Sequence, residues 1–434
     1  MRLERTYPFQ LSPDFKKKLL HWAQQHEEVI WLDSNSYPRQ YDSHEAILAV
    51  DAFTVLKTDY FDAFGELQAY QETSKDWLFG YLSYDLKNDV ERLTSRNHDG
   101  LHFPELYFFQ PKKIFFFSKT SVTISYLNLV SDEIDEDWNA ILHADVPATS
   151  EANKANPIKI HLRTSKDAYF EKVNQMLSHI ERGDIYEANF CQEFYAEDVD
   201  LSPLRTYWHL NTISQSPFAL FLKLEHHYAF SASPERYLKR TGEKVISQPI
   251  KGTAKRAVNA SEDAAIALAL QQDPKERSEN IMIVDLVRND LSRVAVKGSV
   301  TVEELCGVYT FEQVHQLIST IGCEVPMEKP SVEIIKNTFP MGSMTGAPKV
   351  SAMKIIETLE DAKRGLYSGA IGYFAPNGDF DFNVVIRSIF FNQKTQYVSY
   401  SVGGAITAGS IPEREYEECL LKAKAMREAL EGAH

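Results

Sequence analysis

The chain has 434 residues, of which 44% are hydrophobic and 25% charged, values ordinary for a globular protein of one large or two fused domains. Its net charge of −15 argues against a nucleic acid or an anionic membrane as a partner, since both are negatively charged. No stretch reaches the roughly 18 apolar residues of a membrane helix. Because the N-terminus lacks a signal peptide and the cysteines are dispersed, we expect a cytoplasmic protein with reduced thiols.

The two parts of the chain differ in composition. Residues 1–150 are rich in aromatic and β-branched residues, as in 77–82 and 113–117, and are predicted to form a mostly β subdomain. A small, polar stretch at about 145–164 is interpreted as a crossover to a second domain, residues 160–434. The two are expected to share one sandwich of sheets.

The second domain mixes helices and strands. Capping residues and apolar spacing predict helices that begin after Thr164-Ser165, at about 261–283, at 331–338, after Pro348 and at 412–431. Apolar and β-branched runs predict strands at 185–190, 227–231, 244–249, 369–374, 383–391 and 397–402. The order lacks the regular alternation of a parallel βαβ array, which favours an α+β fold with mainly antiparallel sheets.

A lysine and a glutamate are the first candidates for chemistry. Lys251 lies in a predicted turn between Pro249 and Gly252, and a neutral lysine amine can attack an electrophilic carbon. Glu235 follows the strand at 227–231 and could act as a general acid or base. Taken alone, each is better explained as a surface residue, with Glu235 paired to Arg236.

Two glutamate pairs indicate a metal site. Glu276 and Glu279, like Glu415 and Glu418, are three residues apart and therefore lie on one face of a helix. Brought together, the pairs would form an oxygen-rich site suited to Mg²⁺. The alternative is solvated helical surface, which is usual for an acidic protein.

Three segments are candidates for binding an anion. Arg387 lies in an apolar run predicted as strand, where it needs an anion, either a ligand carboxylate or an internal ion pair. Gly403 and Gly404 follow a predicted strand and could present backbone N–H groups to an anion. Residues 341–349 could do the same or could be a helix-entry loop whose glycines only allow turning.

Together these segments resemble the chorismate-utilising enzymes. The resemblance extends in order through about 165–430 and rests on 233–236, 249–253, 279–290, 346–349, 367–369, Arg387, Gly403-Gly404 and 415–422. It implies a two-lobed fold with large antiparallel sheets packed in a sandwich, helices outside and the site in the cleft.

Within this family, the lysine in Pro249-Ile250-Lys251-Gly252-Thr253 resembles the members that aminate chorismate to 4-amino-4-deoxychorismate for folate synthesis, whereas anthranilate-forming members typically have alanine. The resemblance implies that Lys251 adds to the ring, that Glu235 protonates the departing hydroxyl, and that ammonia then displaces the lysine. None of the cysteines lies in a Gly-x-Cys-x-Gly turn, so the ammonia is expected from a separate glutamine amidotransferase subunit.

The resemblance also implies the ligands of metal and substrate. Glu279 and Glu418 would hold Mg²⁺, with Glu276 and Glu415 in or near its shell. Substrate-binding residues would be Thr253, Tyr367, Arg387, Lys422 and the amides of Gly403 and Gly404.

Two departures bear on the reaction. Water-using relatives have a lysine on the strand after the first helix, and its absence from 186–189 argues against water as nucleophile. Glu187 on this strand stands where amine-using relatives often have glutamine. Gln316 occupies the position of a common family histidine, and His315 comes one residue earlier, which favours an enzyme that does not eliminate pyruvate. Anthranilate formation is the first alternative, and a non-catalytic chorismate-binding or regulatory subunit is the second.

Overall fold

A computed structural model of the chain describes residues 1–37, 44–145, 158–312 and 314–432. Its helices are α1 Pro13–Ala23, α2 Ala63–Ser74, α3 Lys87–Val90, α4 Ile134–Leu142, α5 Lys166–Glu181, α6 Pro203–Ser214, α7 Ala260–Gln272, α8 Pro274–Ser292, α9 Ser331–Thr338, α10 Lys349–Leu359 and α11 Pro412–Glu431. Its strands are β1 Arg2–Pro8, β2 Glu28–Asp33, β3 Ala46–Thr58, β4 Leu78–Leu82, β5 Leu106–Phe117, β6 Ser121–Leu127, β7 His161–Leu162, β8 Glu187–Ala196, β9 Phe218–Leu224, β10 His227–Ser233, β11 Arg236–Thr241, β12 Lys244–Gln248, β13 Ile250–Lys255, β14 Thr301–Thr310, β15 Val314–Glu324, β16 Gly346–Ala347, β17 Ala370–Phe374, β18 Phe380–Val384, β19 Ser388–Asn392 and β20 Tyr397–Thr407.

The strands form two large antiparallel layers that meet at the long strand β5. One layer runs β1-β6-β5-β3-β2-β9-β10-β19-β20-β8. The other runs β5-β4-β17-β18-β11-β12-β15-β14, and β13 pairs with β15 beside β12. The predicted α+β fold with large antiparallel sheets is therefore confirmed.

The apolar core follows the alternation of side chains along these strands. Ile30 and Leu222 share one buried cluster with Phe382 of the other layer, so this cluster joins the two layers. Their neighbours in sequence, such as Trp31 and Phe221, belong to a second cluster that also contains buried residues of α1, α5, α6 and α11. Helices thus cover the outer face of the first layer, as expected for sheets packed with helices outside.

The predicted helix at 261–283 is wrong, because two helices occupy this region. The break lies at Asp273, whose carboxylate accepts hydrogen bonds from the backbone N–H groups of Lys275 and Glu276 at 2.9 and 3.0 Å. Pro274 follows at the first position of α8, where a missing N–H is tolerated. This cap fixes where α8 starts and places Glu276 in its first turn.

The predicted strand at 383–391 is also wrong, since β18 ends at Val384 and β19 begins at Ser388. Arg387 has a φ of +53° in the break between them, a backbone conformation that regular strands do not adopt. The arginine therefore does not lie inside a strand. The predicted helices at 331–338 and 412–431, in contrast, are confirmed with the same bounds.

The division into domains 1–150 and 160–434 stays a prediction. Strands from both parts pair directly, β2 with β9 and β4 with β17. Most of the predicted crossover, residues 146–157, lies outside the described residues. All four cysteines are described and free of disulfides, and no helix in the described ranges has the length and apolarity to cross a membrane.

Candidate active site

One cavity of about 940 Å³ collects every predicted site residue. The cavity is bounded by β13, α8, the segment before β19, β20 and α11. The twelve predicted residues that line it are Glu235, Lys251, Thr253, Glu276, Glu279, Tyr367, Arg387, Gly403, Gly404, Glu415, Glu418 and Lys422. Residues separated by up to 187 positions in sequence, from Glu235 to Lys422, are therefore brought to one place by the fold.

Lys251 lies in strand β13 rather than in the predicted turn. The register of β13 against β15 shifts between Ile250 and Thr253, which marks a local irregularity at Lys251 and Gly252. Gly252 has a φ of +94°, a conformation that favours glycine. A Cβ there would also lie 3.2 Å from Glu276 Oε2, so glycine keeps this wall of the cavity close to α8.

Glu235 connects β10 to β11 and is only 4% exposed. Burial raises the pKa of its carboxyl to about 7, although a hydrogen bond from Ser343, the charge of Lys251 and the Ile250 N–H each lower it. A carboxyl with this pKa can donate a proton near neutral pH. The alternative pairing with Arg236 is wrong, because Arg236 donates to Asp381 at 2.9 Å instead.

The four remaining glutamates project from α8 and α11 toward each other. Burial and the charge of Glu279 raise the pKa of Glu276, and Glu418 adds to the effect from the other helix. Burial also raises the pKa of Glu415, again with a contribution from Glu418. These carboxylates repel one another across the cavity, so they are not independent surface residues. The solvated-surface alternative does not fit this arrangement.

Two lysines offset the repulsion. Lys275 Nζ lies 3.7 Å from Glu279 Oε1, and all four glutamates raise the pKa of this lysine against the effect of its burial. Lys422 Nζ lies 2.6 Å from Glu418 Oε1 and also donates to the Gly403 carbonyl at 2.8 Å. The carboxylate set therefore already contains cations supplied by the chain itself.

The donor set suits Mg²⁺ in its chemistry, since it consists of carboxylate oxygens that repel each other. No three Asp, Glu, His or Cys side chains within the described ranges are placed to hold a metal ion by themselves. Mg²⁺ usually keeps several waters and takes only one or two protein carboxylates together with substrate oxygens. The residues present fit an ion of that kind, held between α8 and α11.

Gly403 and Gly404 lie inside β20, not after a strand as predicted. A Cβ on Gly403 would meet Cys191 Sγ at 2.5 Å and the Phe190 carbonyl at 2.7 Å, so this glycine allows β20 to pack on β8. A Cβ on Gly404 would instead lie 3.3 Å from Glu415 Oε2. Gly403 is therefore needed for the close approach of β20 to β8, whereas Gly404 lies beside the carboxylates.

Arg387 is the strongest candidate for binding an anion. Burial lowers the pKa of its guanidinium, opposed by the charges of Tyr367 and Glu418. Within the described part of the chain, Arg387 makes no ion pair, so the internal salt bridge considered from the sequence is not formed. A partly buried guanidinium without an ion-pair partner is costly unless an anion binds it.

Residues 341–349 act mainly as a helix-entry segment. Lys349 Nζ is buried against Asp290 Oδ2 at 2.6 Å and does not reach the cavity, whereas Ser343 and Met344 line it. Gly346 has a φ of +155°, and a Cβ there would meet the Glu187 carbonyl at 2.3 Å. The glycine is required for close packing on β8, which favours the alternative considered from the sequence.

Alternation along β15 separates His315 from Gln316. His315 is 2% exposed and is bound by Asp263 at 2.9 Å and Thr310 at 3.0 Å, away from the cavity. Gln316 lines the cavity, and its buried Oε1 has no hydrogen-bond partner among the described residues. The cavity therefore presents an amide, not an imidazole, at this position.

Lys275 was not predicted from the sequence, although it lies 3.7 Å from Glu279 and its charge interacts with all four glutamates. A lysine in the first turn of a helix reads as solvated surface. The available signal was its position directly before Glu276 and four residues before Glu279, a spacing that brings the two side chains together.

Comparison with known proteins places this site in context. The family profile of chorismate binding enzymes matches residues 21–428. An anthranilate synthase component I-like protein of Synechocystis sp. is 36% identical over 357 residues, which are 82% of this chain and 73% of that protein. An aminodeoxychorismate synthase of Streptomyces griseus is 39% identical over 325 residues, which are 72% of this chain but only 44% of that longer protein.

The fold agrees with these similarities. The crystal structure of anthranilate synthase component I from Streptococcus pneumoniae TIGR4 has a TM-score of 0.78 to this chain at 26% identity, covering 90% of this chain and 95% of that one. Relatives named for two different reactions are thus similarly close in sequence. The match over nearly the whole chain and the shared fold show that this protein belongs to the family of chorismate binding enzymes and is a chorismate-utilising enzyme.

Proposed function

We propose that this chain is aminodeoxychorismate synthase component I, which converts chorismate and ammonia to 4-amino-4-deoxychorismate, a precursor for folate synthesis. The observation that carries the proposal is the pair formed by Lys251 and Glu235 in one cavity. The lysine lies close enough for its charge to affect the pKa of the glutamate, which burial raises to about 7. An amine nucleophile beside a proton-donating carboxyl is what substitution of a ring hydroxyl requires.

The proposed reaction uses the chain's own groups in sequence. The Lys251 Nζ lone pair forms a bond to a ring carbon of chorismate while the C4–O bond breaks. Glu235 donates its proton to the departing hydroxyl, which leaves as water. Ammonia then displaces the lysine and leaves its nitrogen on the ring.

Substrate and metal would be held by the other predicted residues that line the cavity. Arg387, Lys422, Thr253, Tyr367 and the amides near Gly403 and Gly404 would bind the anionic groups of chorismate. Glu279 and Glu418 would hold Mg²⁺, with Glu276 and Glu415 in or near its shell. When bound, the metal would neutralise a carboxylate of the substrate.

Anthranilate formation is the second candidate, and the similarity to the Synechocystis and Streptococcus proteins favours it. That reaction also eliminates pyruvate, which requires removal of a proton. Gln316 faces the cavity where the family commonly has a histidine, and an amide cannot act as a base at neutral pH. This difference favours the amination without elimination.

The source of ammonia is proposed to be a separate glutamine amidotransferase subunit. None of the four cysteines lies in a Gly-x-Cys-x-Gly turn, and all four are buried, so none is presented as a nucleophile. Free ammonium salts should replace the subunit in an assay.

Product analysis tests the proposal. The purified chain with chorismate, Mg²⁺ and ammonium at mildly alkaline pH is expected to form aminodeoxychorismate, detected as p-aminobenzoate after addition of the lyase, without release of pyruvate. Lys251→Ala should lose amination by about 10²-fold or more, whereas Lys255→Ala, at another cavity-lining lysine of β13, should retain it. Anthranilate with an equal amount of pyruvate from the wild-type chain would overturn the proposal.

A further inference from the structure

Asn280 is a buried polar side chain close to the backbone of the proposed nucleophile, and the proposed reaction does not use it. It belongs to α8, directly after Glu279, and is only 1% exposed. Glu276 and Glu279 of the same helix line the cavity, whereas Asn280 is not among the described residues that do. A buried amide is costly unless both of its ends form hydrogen bonds, so its partners show what it does.

Strand β15 is irregular on both of its edges. On the edge that faces β13, Lys251 and Gly252 together lie opposite one residue of β15, Leu317. On the edge that faces β14, residues 305–306 lie opposite Ser319. Two residues opposite one form a β-bulge, which interrupts the ladder of hydrogen bonds between the strands. The nucleophile therefore lies in a bulge, where pairing with β15 does not by itself fix the backbone.

The side-chain amide of Asn280 binds both bulges. Its Nδ2 group donates to the backbone carbonyls of Lys251 and Leu317, each at 3.3 Å. Its Oδ1 accepts hydrogen bonds from the Ser319 hydroxyl and, at 3.5 Å, from the Cys306 thiol. Because a backbone carbonyl can only accept, the nitrogen of the amide must face the two carbonyls. The contacts thus fix both the place and the orientation of this side chain.

The backbone at Lys251 and Gly252 needs a support of this kind. Gly252 has a φ of +94°, and glycine adopts positive and negative φ about equally well, so other backbone conformations are accessible here at low cost. A movement of this backbone carries the lysine side chain with it. The hydrogen bond from Asn280 to the Lys251 carbonyl opposes such a movement and ties the bulge to α8.

We propose that Asn280 is a positioning residue, which holds the bulge of β13 so that Lys251 Nζ stays directed at the substrate. This inference rests on the proposed function of Lys251 as nucleophile. Asn280 acts through the backbone of Lys251 and does not touch chorismate. Because α8 also carries Glu276 and Glu279, the same helix sets the distance between the nucleophile and the proposed metal ligands. Attack on a ring carbon depends steeply on such placement, since a shift of about 1 Å can slow a reaction about 10²-fold.

Hydrogen exchange tests the contact without substrate. Asn280→Ala removes the donors, and Asn280→Asp keeps the shape but places a carboxylate oxygen against two carbonyls. In both variants the backbone amides of 251–255 should exchange several-fold faster than in the wild type, read by peptide mass spectrometry. Asn392→Ala is the matched control, because Asn392 is 2% exposed and donates to the Leu101 carbonyl at 2.8 Å, outside the cavity lining. Unchanged exchange of 251–255 in both Asn280 variants would overturn the proposed support.

Turnover tests whether the support matters for the reaction. Asn280→Asp is expected to aminate chorismate about 10²-fold more slowly, with the KM for chorismate little changed, because the anion-binding residues of the cavity are untouched. Asn392→Ala should keep the wild-type kcat. Wild-type kcat in the Asn280 variants, or a rise in KM that accounts for the whole loss of kcat/KM, would overturn the role in positioning the nucleophile.

Ser319→Ala changes the same contact from its other end and keeps the proposal testable if a change at position 280 prevents folding. It leaves both donors of Asn280 in place and removes the hydroxyl that binds Oδ1. Exchange of 251–255 should therefore rise, and kcat should fall, by smaller factors than in Asn280→Asp. Wild-type exchange together with wild-type kcat in Ser319→Ala would contradict the proposal.

The proposed function and the role of Asn280 fail in distinguishable ways. If the wild-type chain forms anthranilate and pyruvate, the proposed function is wrong, and the exchange measurement, which contains no substrate, still decides whether Asn280 holds the bulge. If the wild-type chain aminates chorismate and the Asn280 variants keep its kcat, only the role of Asn280 is wrong.

Discussion

The two walls of the cavity control the charge of their carboxyl groups in different ways. On the wall formed by β8, β13 and the β10–β11 junction, Glu235 and Glu187 are almost completely removed from water. On the wall formed by α8 and α11, Glu279 and Glu418 are accompanied by Lys275 and Lys422. The first wall adjusts proton affinity by burial, whereas the second gathers like charges and balances them with cations.

The difference shows how one fold can combine a proton donor with a cation site. Burial favours the neutral form of a carboxyl, which a proton donor needs. A metal ligand must instead be ionised, so its carboxylates are kept nearer to water and beside positive groups. Exchanging the two environments would remove both activities. Changes on each wall should therefore have different consequences.

The largest effect is expected on the buried wall, from Glu235→Gln. The amide keeps the shape of the side chain but cannot donate an acidic proton, so amination should fall by about 10²–10⁴-fold. In the wild type, loss of that proton should reduce kcat as the pH rises above about 7, the value to which burial raises the pKa of Glu235. Steady-state kinetics from pH 6 to 9 check both statements.

Stability gives an independent control for this variant. A carboxyl whose pKa is raised in the folded protein stabilises the fold below its unfolded value, about 4.3, and loses that contribution as pH rises through about 7. The free energy of unfolding of the wild type, relative to Glu235→Gln, should therefore decrease between pH 4 and 8. If the difference in the free energy of unfolding stayed constant over this pH range, burial would not raise the pKa of Glu235.

Gly403 and Gly404 provide a second test, because they are neighbours in β20 but lie beside different groups. Gly403→Ala places a Cβ 2.5 Å from Cys191 Sγ and 2.7 Å from a backbone oxygen, so it should destabilise the fold by about 1–3 kcal/mol. Gly404→Ala places its Cβ 3.3 Å from a Glu415 carboxylate oxygen and should leave stability nearly unchanged while weakening Mg²⁺ binding a few-fold. Chemical denaturation and metal titration, measured on both variants, separate the two effects. Identical profiles would contradict the assignment of different roles.

Whether a feature of the fold or the site could be predicted from the sequence depends on how far apart in the chain the residues that determine it lie. The glutamate pairs follow from helical spacing, and the bounds of α11 from its apolar pattern and its proline, so both were predicted correctly. The break at Arg387 and the irregularity at Gly252 depend on pairing with β10 and β15, which come from elsewhere in the chain. Such tertiary constraints override the local preference for a continuous strand or turn.

The same reasoning explains why Lys275 was missed and why the burial of Glu187 was not predicted. Both are ordinary polar residues in their local sequence. The covering of Glu187 by β16 and the convergence of four carboxylates on Lys275 arise only when distant elements meet. Charge balance inside a cavity is a property of the assembled site, so no single segment contains it.

An effect of opposite sign is expected on the charged wall, from Lys275→Met. Lys275 is a cation within the carboxylate set, and a Mg²⁺ ion bound there must overcome its repulsion. Removing the charge while keeping an unbranched apolar chain should therefore tighten Mg²⁺ binding by up to about tenfold, since exposed charges a few ångströms apart interact by about 1 kcal/mol or somewhat more. Lys424→Met, at a cavity lysine that does not contribute to the raised pKa of Glu276 or Glu415, is the matched control. Isothermal titration of the free proteins with Mg²⁺ gives the affinities, and a weaker affinity in Lys275→Met would mean that the lysine holds the carboxylates together instead of competing with the metal.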